Sequence, residues 1–210
     1  MAIISILNQK GGVGKTTLSM HLARALQLQG ANVTLVDSDP QGSARDWAAV
    51  CDDYPVPVIG IDRPTIGRDL KIVTKQDFII IDGAPRSYDI IVSALKASDC
   101  VIIPVQPSPV DIWATSDLVD LIKQRIEVTD GKLKAAFVVS RVIKGTKIGS
   151  EIIEILEKYD LPVLETRITQ RVIYPSSAAE GTTVLDQDPK GEAAQEIQNL
   201  TNEVLKLVKI

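Results

Sequence analysis

Aromatic residues and cysteines are scarce in this sequence of 210 residues. Phe, Trp and Tyr make up 4% of it while 45% is hydrophobic, so its core must be built mainly from aliphatic side chains. That composition is typical of parallel strands covered by helices on both faces. The two cysteines, Cys51 and Cys100, lie far apart and lack the spacing of metal ligands, which indicates two reduced thiols in a cytosolic chain.

The sequence also lacks an excess of positive charge and a long hydrophobic run. Its net charge is −4 and its pI about 5.1, so any binding of nucleic acid must come from a local patch. No apolar run approaches the roughly 18 residues that a membrane span needs. The amino terminus enters a strand without a charged segment or a cleavage site. We therefore expect a cytoplasmic protein that does not bind membranes.

Apolar segments typical of strands alternate with segments of helical periodicity. We predict strands over 2–8, 32–37, 56–60, 77–82, 99–105, 133–140 and 162–166, and helices over 15–29, 42–51, 65–74, 87–96, 112–127, 147–158 and 190–208. This order predicts an α/β fold with a doubly wound, mostly parallel sheet of about seven strands and helices on both faces. The length favours one domain over residues 1–210. The last helix carries few lysines, so we expect its apolar face to pack on the core rather than on a membrane.

A glycine-rich segment, QKGGVGKTTL at residues 9–18, directly follows the first predicted strand. Its glycines let backbone N–H groups approach phosphate oxygens, and the helix that follows adds the positive end of its dipole. Lys15 is placed to reach the outer phosphates, and the Thr16 hydroxyl to ligate Mg²⁺. We therefore predict a P-loop for a nucleoside triphosphate, formed by Lys10, Gly11, Gly12, Val13, Gly14, Lys15, Thr16 and Thr17.

Acidic residues follow two of the predicted strands. Ligands of doubly wound sheets bind beyond the carboxyl ends of the strands. Asp82 ends an apolar strand, where a carboxylate is costly without a cation or hydrogen bonds, so we interpret it as a Walker B residue that holds Mg²⁺. Asp39 is the candidate for orienting the attacking water and Asp37 for supporting the metal. The predicted metal site comprises Thr16, Asp37, Asp39 and Asp82; helix capping by Asp82 and turn formation before Pro40 are the alternatives.

Two motifs together, KGGVGKTT at residues 10–17 and DSDPQ at 37–41, resemble the ParA/MinD family of deviant Walker A ATPases, and PVQPS at 104–108 is similar as well. The short length, and Asp82-Gly83-Ala84 where Asp-x-Pro-Pro is usual, are most similar to the small ParF-type and VirC1-like partition ATPases. The resemblance implies that Lys10 reaches the nucleotide of a second copy in an ATP-dependent homodimer. It further implies slow ATP hydrolysis to ADP and phosphate, in which Lys10, Lys15 and Asp39 are the catalytic residues.

The resemblance implies partners too: a ParB-like or adaptor protein that stimulates hydrolysis, and nonspecific DNA, with association with the nucleoid. Arg171 follows the seventh predicted strand, where the family holds adenine, so it is a candidate nucleotide contact. Many relatives carry an arginine two places further on, where this chain has Ile173, so that DNA contact is not implied. The residues that could form a basic patch are Lys144, Lys147, Arg167, Arg171 and Lys190, although scattered solvated side chains explain them equally well.

The leading hypothesis is an ATP-dependent switch that positions a plasmid, a chromosome or a protein cargo. A membrane switch of the MinD type is one alternative, and the thin basic face of the last helix argues against it. An iron–sulfur reductase with the same loop is another, and the positions of Cys51 and Cys100 argue against it. A cargo adaptor that does not bind DNA is the remaining alternative.

Overall fold

The computed structural model describes residues 1–145 and 148–208, with the backbone alone at 148–151. Seven strands form one parallel sheet in the order β3-β2-β4-β1-β5-β6-β7. They are β1 (Ala2–Ile6), β2 (Val33–Asp37), β3 (Val58–Gly60), β4 (Phe78–Asp82), β5 (Cys100–Val105), β6 (Lys134–Val142) and β7 (Val163–Thr169). The predicted fold class is therefore confirmed. Because β1 lies between β4 and β5, the connections leave it in both directions and open a crevice at its carboxyl end.

Helices connect these strands and cover both faces of the sheet. They are α1 (Lys15–Leu28), α2 (Ser43–Ala49), α3 (Ile66–Asp69), α4 (Tyr88–Ala97), α5 (Pro109–Trp113), α6 (Ser116–Val128), α7 (Ile148–Glu157), α8 (Ile173–Ala179), α9 (Val184–Gln187) and α10 (Glu192–Val208). None of the helices in the described part of the chain is long and apolar enough to cross a membrane.

Two predicted helices differ in the structure, and two observed helices have no predicted counterpart. The helix expected over 112–127 is divided into α5 and α6, because the hydroxyls of Thr115 and Ser116 bond to carbonyls of the preceding turn. The helix expected over 65–74 becomes α3 followed by a 3-10 turn at Leu70–Ile72. Helices α8 and α9 were not predicted. Pro175 lies in the first turn of α8, where its missing N–H costs no helical hydrogen bond.

The core lies on both faces of the sheet. Along β4, Ile79 and Ile81 pack on one face and Ile80 on the other, and all three are fully buried. Such strands need no polar side, which explains their unbroken aliphatic runs. On one of these faces, α10 packs with the buried side chains of Ile197, Leu200 and Val204.

Carboxylates of α10 bind the exposed edge of β7. Glu203 accepts hydrogen bonds from the N–H groups of Glu165 and Thr166, at 2.7 and 2.9 Å. Glu196 accepts one from the N–H of Thr169 at 3.0 Å. An edge strand otherwise presents unpaired N–H groups to other chains, so these glutamates close this edge of the sheet.

His21 joins α1 to the start of α9. The ring is fully buried; its Nδ1 lies 2.6 Å from the carbonyl oxygen of Thr17, and its Nε2 accepts a hydrogen bond from the N–H of Val184 at 3.1 Å. These partners require a neutral ring with its proton on Nδ1. Burial lowers the pKa of His21 to about 4, although the Thr17 carbonyl and Asp186 oppose that shift.

The buried His21 should make stability depend on pH. Its folded pKa of about 4 lies below the unfolded value of 6.5, so its contribution is complete above pH 6.5 and is lost as the pH falls toward 4. Between pH 7 and pH 5 this contribution should decrease by about 2 kcal/mol. Urea unfolding of the wild type and of His21→Gln at both values measures it, because the variant lacks the titrating ring. Equal pH dependence in the two proteins would show that His21 does not titrate in this way.

Candidate nucleotide site

The loop between β1 and α1 is held by hydrogen bonds from side chains that follow β5 and lie on β6. Gly12 and Gly14 adopt positive φ angles of 78° and 92°, which glycine tolerates best. The carbonyl oxygen of Gly12 accepts hydrogen bonds from Gln106 Nε2 and Arg141 Nη1, both at 2.9 Å, and that of Val13 accepts one from Ser140 Oγ at 2.8 Å. Because the N–H of a trans peptide points opposite to its C=O, the N–H groups of Val13 and Gly14 point away from these contacts. The carbonyl oxygens of Gly12 and Val13 are thus occupied by protein donors.

Lys15 is a buried cation whose hydrogen bond goes to a carbonyl rather than to a carboxylate. It is 6% exposed, and its Nζ donates to the carbonyl oxygen of Lys10 at 2.8 Å. Burial lowers the pKa of Lys15, an effect that the charges of Asp82 and Asp39 oppose. A buried ammonium without a directly bonded anion is costly. The site therefore favours an anionic ligand such as a phosphate.

Asp82, at the end of β4, accepts two hydroxyl hydrogen bonds from α1. Thr16 Oγ1 lies 2.7 Å from its Oδ2, and Ser19 Oγ lies 3.0 Å from its Oδ1. Burial raises the pKa of Asp82 to about 7; Asp37 adds to the increase, and the bonds from Thr16 and Ser19 oppose it. A cation near this carboxylate would favour its charged form.

The donor set at Thr16 and Asp82 fits magnesium. Both residues offer oxygen atoms, which Mg²⁺ prefers, and Mg²⁺ usually keeps several waters and binds phosphates besides one or two protein ligands. Among the described residues, no cluster of three or more His, Cys, Asp or Glu side chains could hold a metal by itself. A magnesium ion here would therefore share its coordination with phosphate oxygens and water.

Asp37 and Asp39 have contacts of a different kind. Asp37 lies beside Asp82 in the sheet register, but its Oδ2 accepts the N–H groups of Ala44 and Arg45 at 3.1 and 3.0 Å, and its Oδ1 accepts that of Asp39. These are the contacts of an anion that caps the start of α2, and the support that Asp37 gives to the metal stays a prediction. Asp39 is partly exposed on the wall of the cavity and also accepts the N–H of Gln41 at 3.0 Å, so it forms the turn before Pro40 as well.

A cavity of about 760 Å³ extends from the loop and is within the usual size range of ligand pockets. Lys15 and Thr16 line it, and so do Trp47, Tyr174 and Pro175. Sequence reasoning missed these last three, two of which lie on the unpredicted helix α8. The buried hydroxyl of Tyr174 has no hydrogen-bond partner among the described residues.

Arg171 also lines this cavity, but its guanidinium is paired with α10. Its Nη2 lies 2.7 Å from Glu192 and 2.9 Å from Glu196. Lys144 is 3.1 Å from the same Glu192, and Arg167 donates to backbone carbonyls of its own strand. Of the other candidates for a basic patch, Lys190 is exposed and Lys147 lies outside the described residues. Carboxylates are thus paired with Lys144 and Arg171, two of the residues predicted to form a basic patch for DNA.

Lys10 is fixed at both its backbone and its side chain. Its N–H donates to Asn8 Oδ1 at 2.8 Å, and Asn8 Nδ2 donates to the carbonyl oxygen of Pro104 at 2.8 Å. The ammonium of Lys10 pairs with Asp111 on α5, a contact between residues 101 positions apart that no local pattern indicates.

Residues 4–184 match the protein-family model described as the CobQ/CobB/MinD/ParA nucleotide binding domain. The chain belongs to this family. It is 34% identical over 209 residues to maintenance of carboxysome distribution protein A from Halothiobacillus neapolitanus, covering 96% of this chain and 95% of that one. It is 30% identical over 247 residues to sporulation initiation inhibitor protein Soj from Bacillus subtilis, covering 96% and 97%. The ParA/MinD resemblance is thereby confirmed, whereas the ParF subtype stays a prediction.

Solved structures of the family share the fold. The chain superposes with a TM-score of 0.79 on cobyrinic acid a,c-diamide synthase from Mycobacterium smegmatis, with 21% identity and coverage of 99% and 95%. It superposes equally well on the cell division ATPase MinD from Pyrococcus furiosus, with 22% identity and coverage of 98% and 99%. The synthase was crystallised with ADP and magnesium, and also with an ATP analogue and magnesium. The structural neighbours thus hold the cofactors predicted for this chain.

Cys100 is fully buried in β5, and burial raises its pKa to about 12. A thiol in this position is not placed to ligate an iron–sulfur cluster shared between two ParA/MinD-family subunits, because such a ligand must be reactive and reach the surface. Cys51 is partly exposed. The structure therefore gives the reductase alternative no support at Cys100.

Gly83 stands at the variable position of the Asp-x-Pro-Pro pattern, directly after Asp82. A Cβ atom at this position would lie 2.6 Å from the carbonyl oxygen of Ile6 and 2.7 Å from a methyl carbon of Leu7. The N–H of Gly83 donates to the same Ile6 oxygen at 3.1 Å. The chain after Asp82 thus passes close to the end of β1, and only glycine fits there.

Replacing Gly83 with alanine should destabilise the protein and weaken nucleotide binding. The added methyl group meets backbone that cannot yield without moving β1, so we expect a loss of about 1–3 kcal/mol in the free energy of unfolding. Gly67→Ala is the matched control, because its nearest neighbour would be the Cβ of Ala97 at 3.7 Å. Urea unfolding and titration with a fluorescent ATP analogue measure the two effects. Equal stability of both variants would argue against the close approach.

Proposed function

We propose that this chain is a ParA-like ATPase, acting as one domain, that dimerises on ATP and thereby positions a plasmid, a chromosome or a protein cargo. The observation that carries the proposal is the buried ammonium of Lys15 beside the Thr16–Asp82 pair, at the mouth of a cavity large enough for a nucleotide. Membership of the family supports the nucleotide, and the names of its relatives, which refer to carboxysome distribution and to sporulation, support a role in cellular organisation.

In this proposal the loop binds the triphosphate. The backbone N–H groups of the loop and the Lys15 ammonium would contact phosphate oxygens, and the Thr16 hydroxyl and Asp82 would hold magnesium, with Asp39 as a further predicted member of the metal site. The bound metal would neutralise charge that develops on the phosphates. Asp37 serves this site indirectly by fixing the start of α2. Arg171, which lines the same cavity, contacts the adenine or its ribose. The remaining contacts assigned to the loop come from Gly11, Gly12, Val13, Gly14 and Thr17.

Hydrolysis then requires a water in line with the bond that breaks. The oxygen of this water attacks the γ-phosphorus and the bond to the β–γ bridging oxygen breaks. ADP and phosphate leave, with one proton of the water kept on the phosphate and the other released to solvent. Asp39 lies on the cavity wall, partly exposed, where it can orient the water. Because positioning and charge stabilisation supply most of such catalysis, a chain without its stimulating partner should turn over slowly.

Lys10 is assigned to the second nucleotide of the dimer. Its side chain is 39% exposed, whereas the side chain of Lys15 is buried, so the two lysines serve different positions. A cation that neutralises phosphate only across an interface makes ATP favour the dimer. In this proposal Lys15 places positive charge beside the phosphates within its own chain, and Lys10 does so across the interface. We therefore assign both lysines to catalysis.

The two lysines should be separable by mutation. Lys15→Ala should abolish ATP binding, because the loop loses its buried cation. Lys10→Ala should bind ATP but remain monomeric when a nonhydrolysable analogue and magnesium are present, and Lys71→Ala, at an exposed position, should behave as the wild type. Analytical ultracentrifugation and titration with a fluorescent analogue measure both properties. A Lys10→Ala protein that dimerises as the wild type does would show that the cross-subunit role is wrong.

We further propose that the ATP-bound dimer binds nonspecific DNA through the surface at Lys144, while Arg171 stays with the nucleotide. Glu192 is paired with Lys144, so Glu192→Gln should strengthen DNA binding, and Glu127→Gln, which removes an exposed charge on α6, is the matched control. In mobility shifts with ATP at several salt concentrations, the slope of log affinity against log salt should become steeper by about one for each additional DNA phosphate that the variant neutralises.

Equal affinities of the two glutamine variants would show that this patch does not contact DNA. No shift of the wild type even at low salt would instead favour the cargo adaptor that does not bind DNA. Sedimentation of the ATP-bound protein with anionic liposomes would favour the membrane switch. Wild-type binding that weakens steeply with salt, without liposome binding, is the result that the proposal requires.

A further inference from the structure

The pair of Lys10 and Asp111 joins a surface cation to a buried anion. The side chain of Lys10 is 39% exposed, whereas that of Asp111 is 8% exposed. Within the part of the chain that the structure describes, Lys10 is the one side chain that donates a hydrogen bond to this carboxylate. The charge of Asp111 is therefore balanced by a residue that the proposed dimer needs elsewhere.

Separating the pair would not cost the two partners equally. Lys10 can be solvated where it stands, because much of its side chain is exposed. Asp111 would remain buried in α5 as an unpaired carboxylate, and removal of one partner of a buried pair is strongly destabilising for that reason. The free-energy cost of the unpaired Asp111 carboxylate therefore applies to every state in which Lys10 binds a different anion.

We propose that Asp111 is a positioning residue that holds Lys10 within its own chain and so opposes dimerisation until ATP is bound. The proposal rests on the cross-subunit role of Lys10 proposed above. A triphosphate carries more negative charge than one carboxylate, so the nucleotide of a second copy can displace Asp111. Without ATP the second copy offers no such anion, and the intramolecular pair favours the monomer.

Two residues near Asp111 are exposed, so Lys10 would exchange Asp111 for a phosphate at the surface of the protein. Val110 and Trp113, on the same short helix, are 63% and 62% exposed. The N–H groups of Asp111 and Ile112 both donate to the carbonyl oxygen of Ser108, which anchors the helix to the segment after β5. A second copy that approaches the Lys10 side of the loop would therefore meet α5 directly, with the pair between them.

The first test compares the dissociation constants of the dimers. With a nonhydrolysable ATP analogue and magnesium, Asp111→Asn should dimerise about tenfold more tightly than the wild type, within the roughly 5- to 150-fold range of typical coupling between sites. Asp120→Asn is the matched control, since it removes an exposed carboxylate from neighbouring α6 and should leave dimerisation unchanged. Should Asp111→Asn fail to fold, as judged by circular dichroism, Asp111→Ala replaces it.

The second test reports on the pair without a dimer. In the nucleotide-free monomer, brief labelling with an amine-reactive reagent followed by mass spectrometry should modify Lys10 several-fold faster in Asp111→Asn than in the wild type. Labelling of exposed Lys71 should be the same in both proteins. An unchanged rate at Lys10 would show that Asp111 does not hold it in solution, and would overturn the inference.

The two proposals can fail separately. A wild type that stays monomeric with the ATP analogue, or a Lys10→Ala variant that dimerises normally, contradicts the proposed function and with it the basis of this inference. A wild type that dimerises, with Lys10→Ala monomeric and Asp111→Asn no tighter than Asp120→Asn, contradicts only the role of Asp111. Weaker dimerisation of Asp111→Asn would likewise overturn it.

Discussion

The hydrogen bonds from Thr16 and Ser19 to Asp82 fix the first helix over the end of the sheet, and the rest of the site depends on them. Asp82 lies in register between Ile6 of β1 and Asp37 of β2, so it joins the three strands whose ends form the crevice. Because both hydroxyls belong to α1, their bonds to one carboxylate fix the position of this helix along the sheet and its rotation about its own axis. The loop before α1 consequently has both ends held, and its glycines are shaped between fixed points.

Much of this arrangement could be predicted from the sequence because it is local. The aliphatic runs specify buried parallel strands, and the glycines, Lys15 and Thr16 specify the loop through chemistry within ten residues. Contacts between distant segments were not predictable in this way. The pairing of Lys10 with Asp111 requires α5 to fold back over the loop, and the pairing of Arg171 with Glu192 and Glu196 requires α10 to pack beside β7. Neither of these pairings produces a periodic pattern in the sequence.

The residues around the cavity show the same limit. Tyr174 and Pro175 lie on a short helix that begins just after a strand and contains a proline in its first turn, features that also suit a loop. Asp37 differs from Asp82 although both end a strand: backbone donors at the start of α2 bond to its carboxylate, and its support of the metal stays a prediction. Position at a strand end therefore indicates a site, while the neighbouring backbone decides which carboxylates belong to it.

The two edges of the sheet restrict how copies of this chain can assemble. The glutamates of α10 occupy N–H groups of β7, and the opposite edge strand, β3, has only three residues. Neither edge offers a stretch of open backbone on which another strand could grow. Filaments built by continuing the sheet from copy to copy are thus disfavoured, and any polymer of this protein must join its copies through helices and loops.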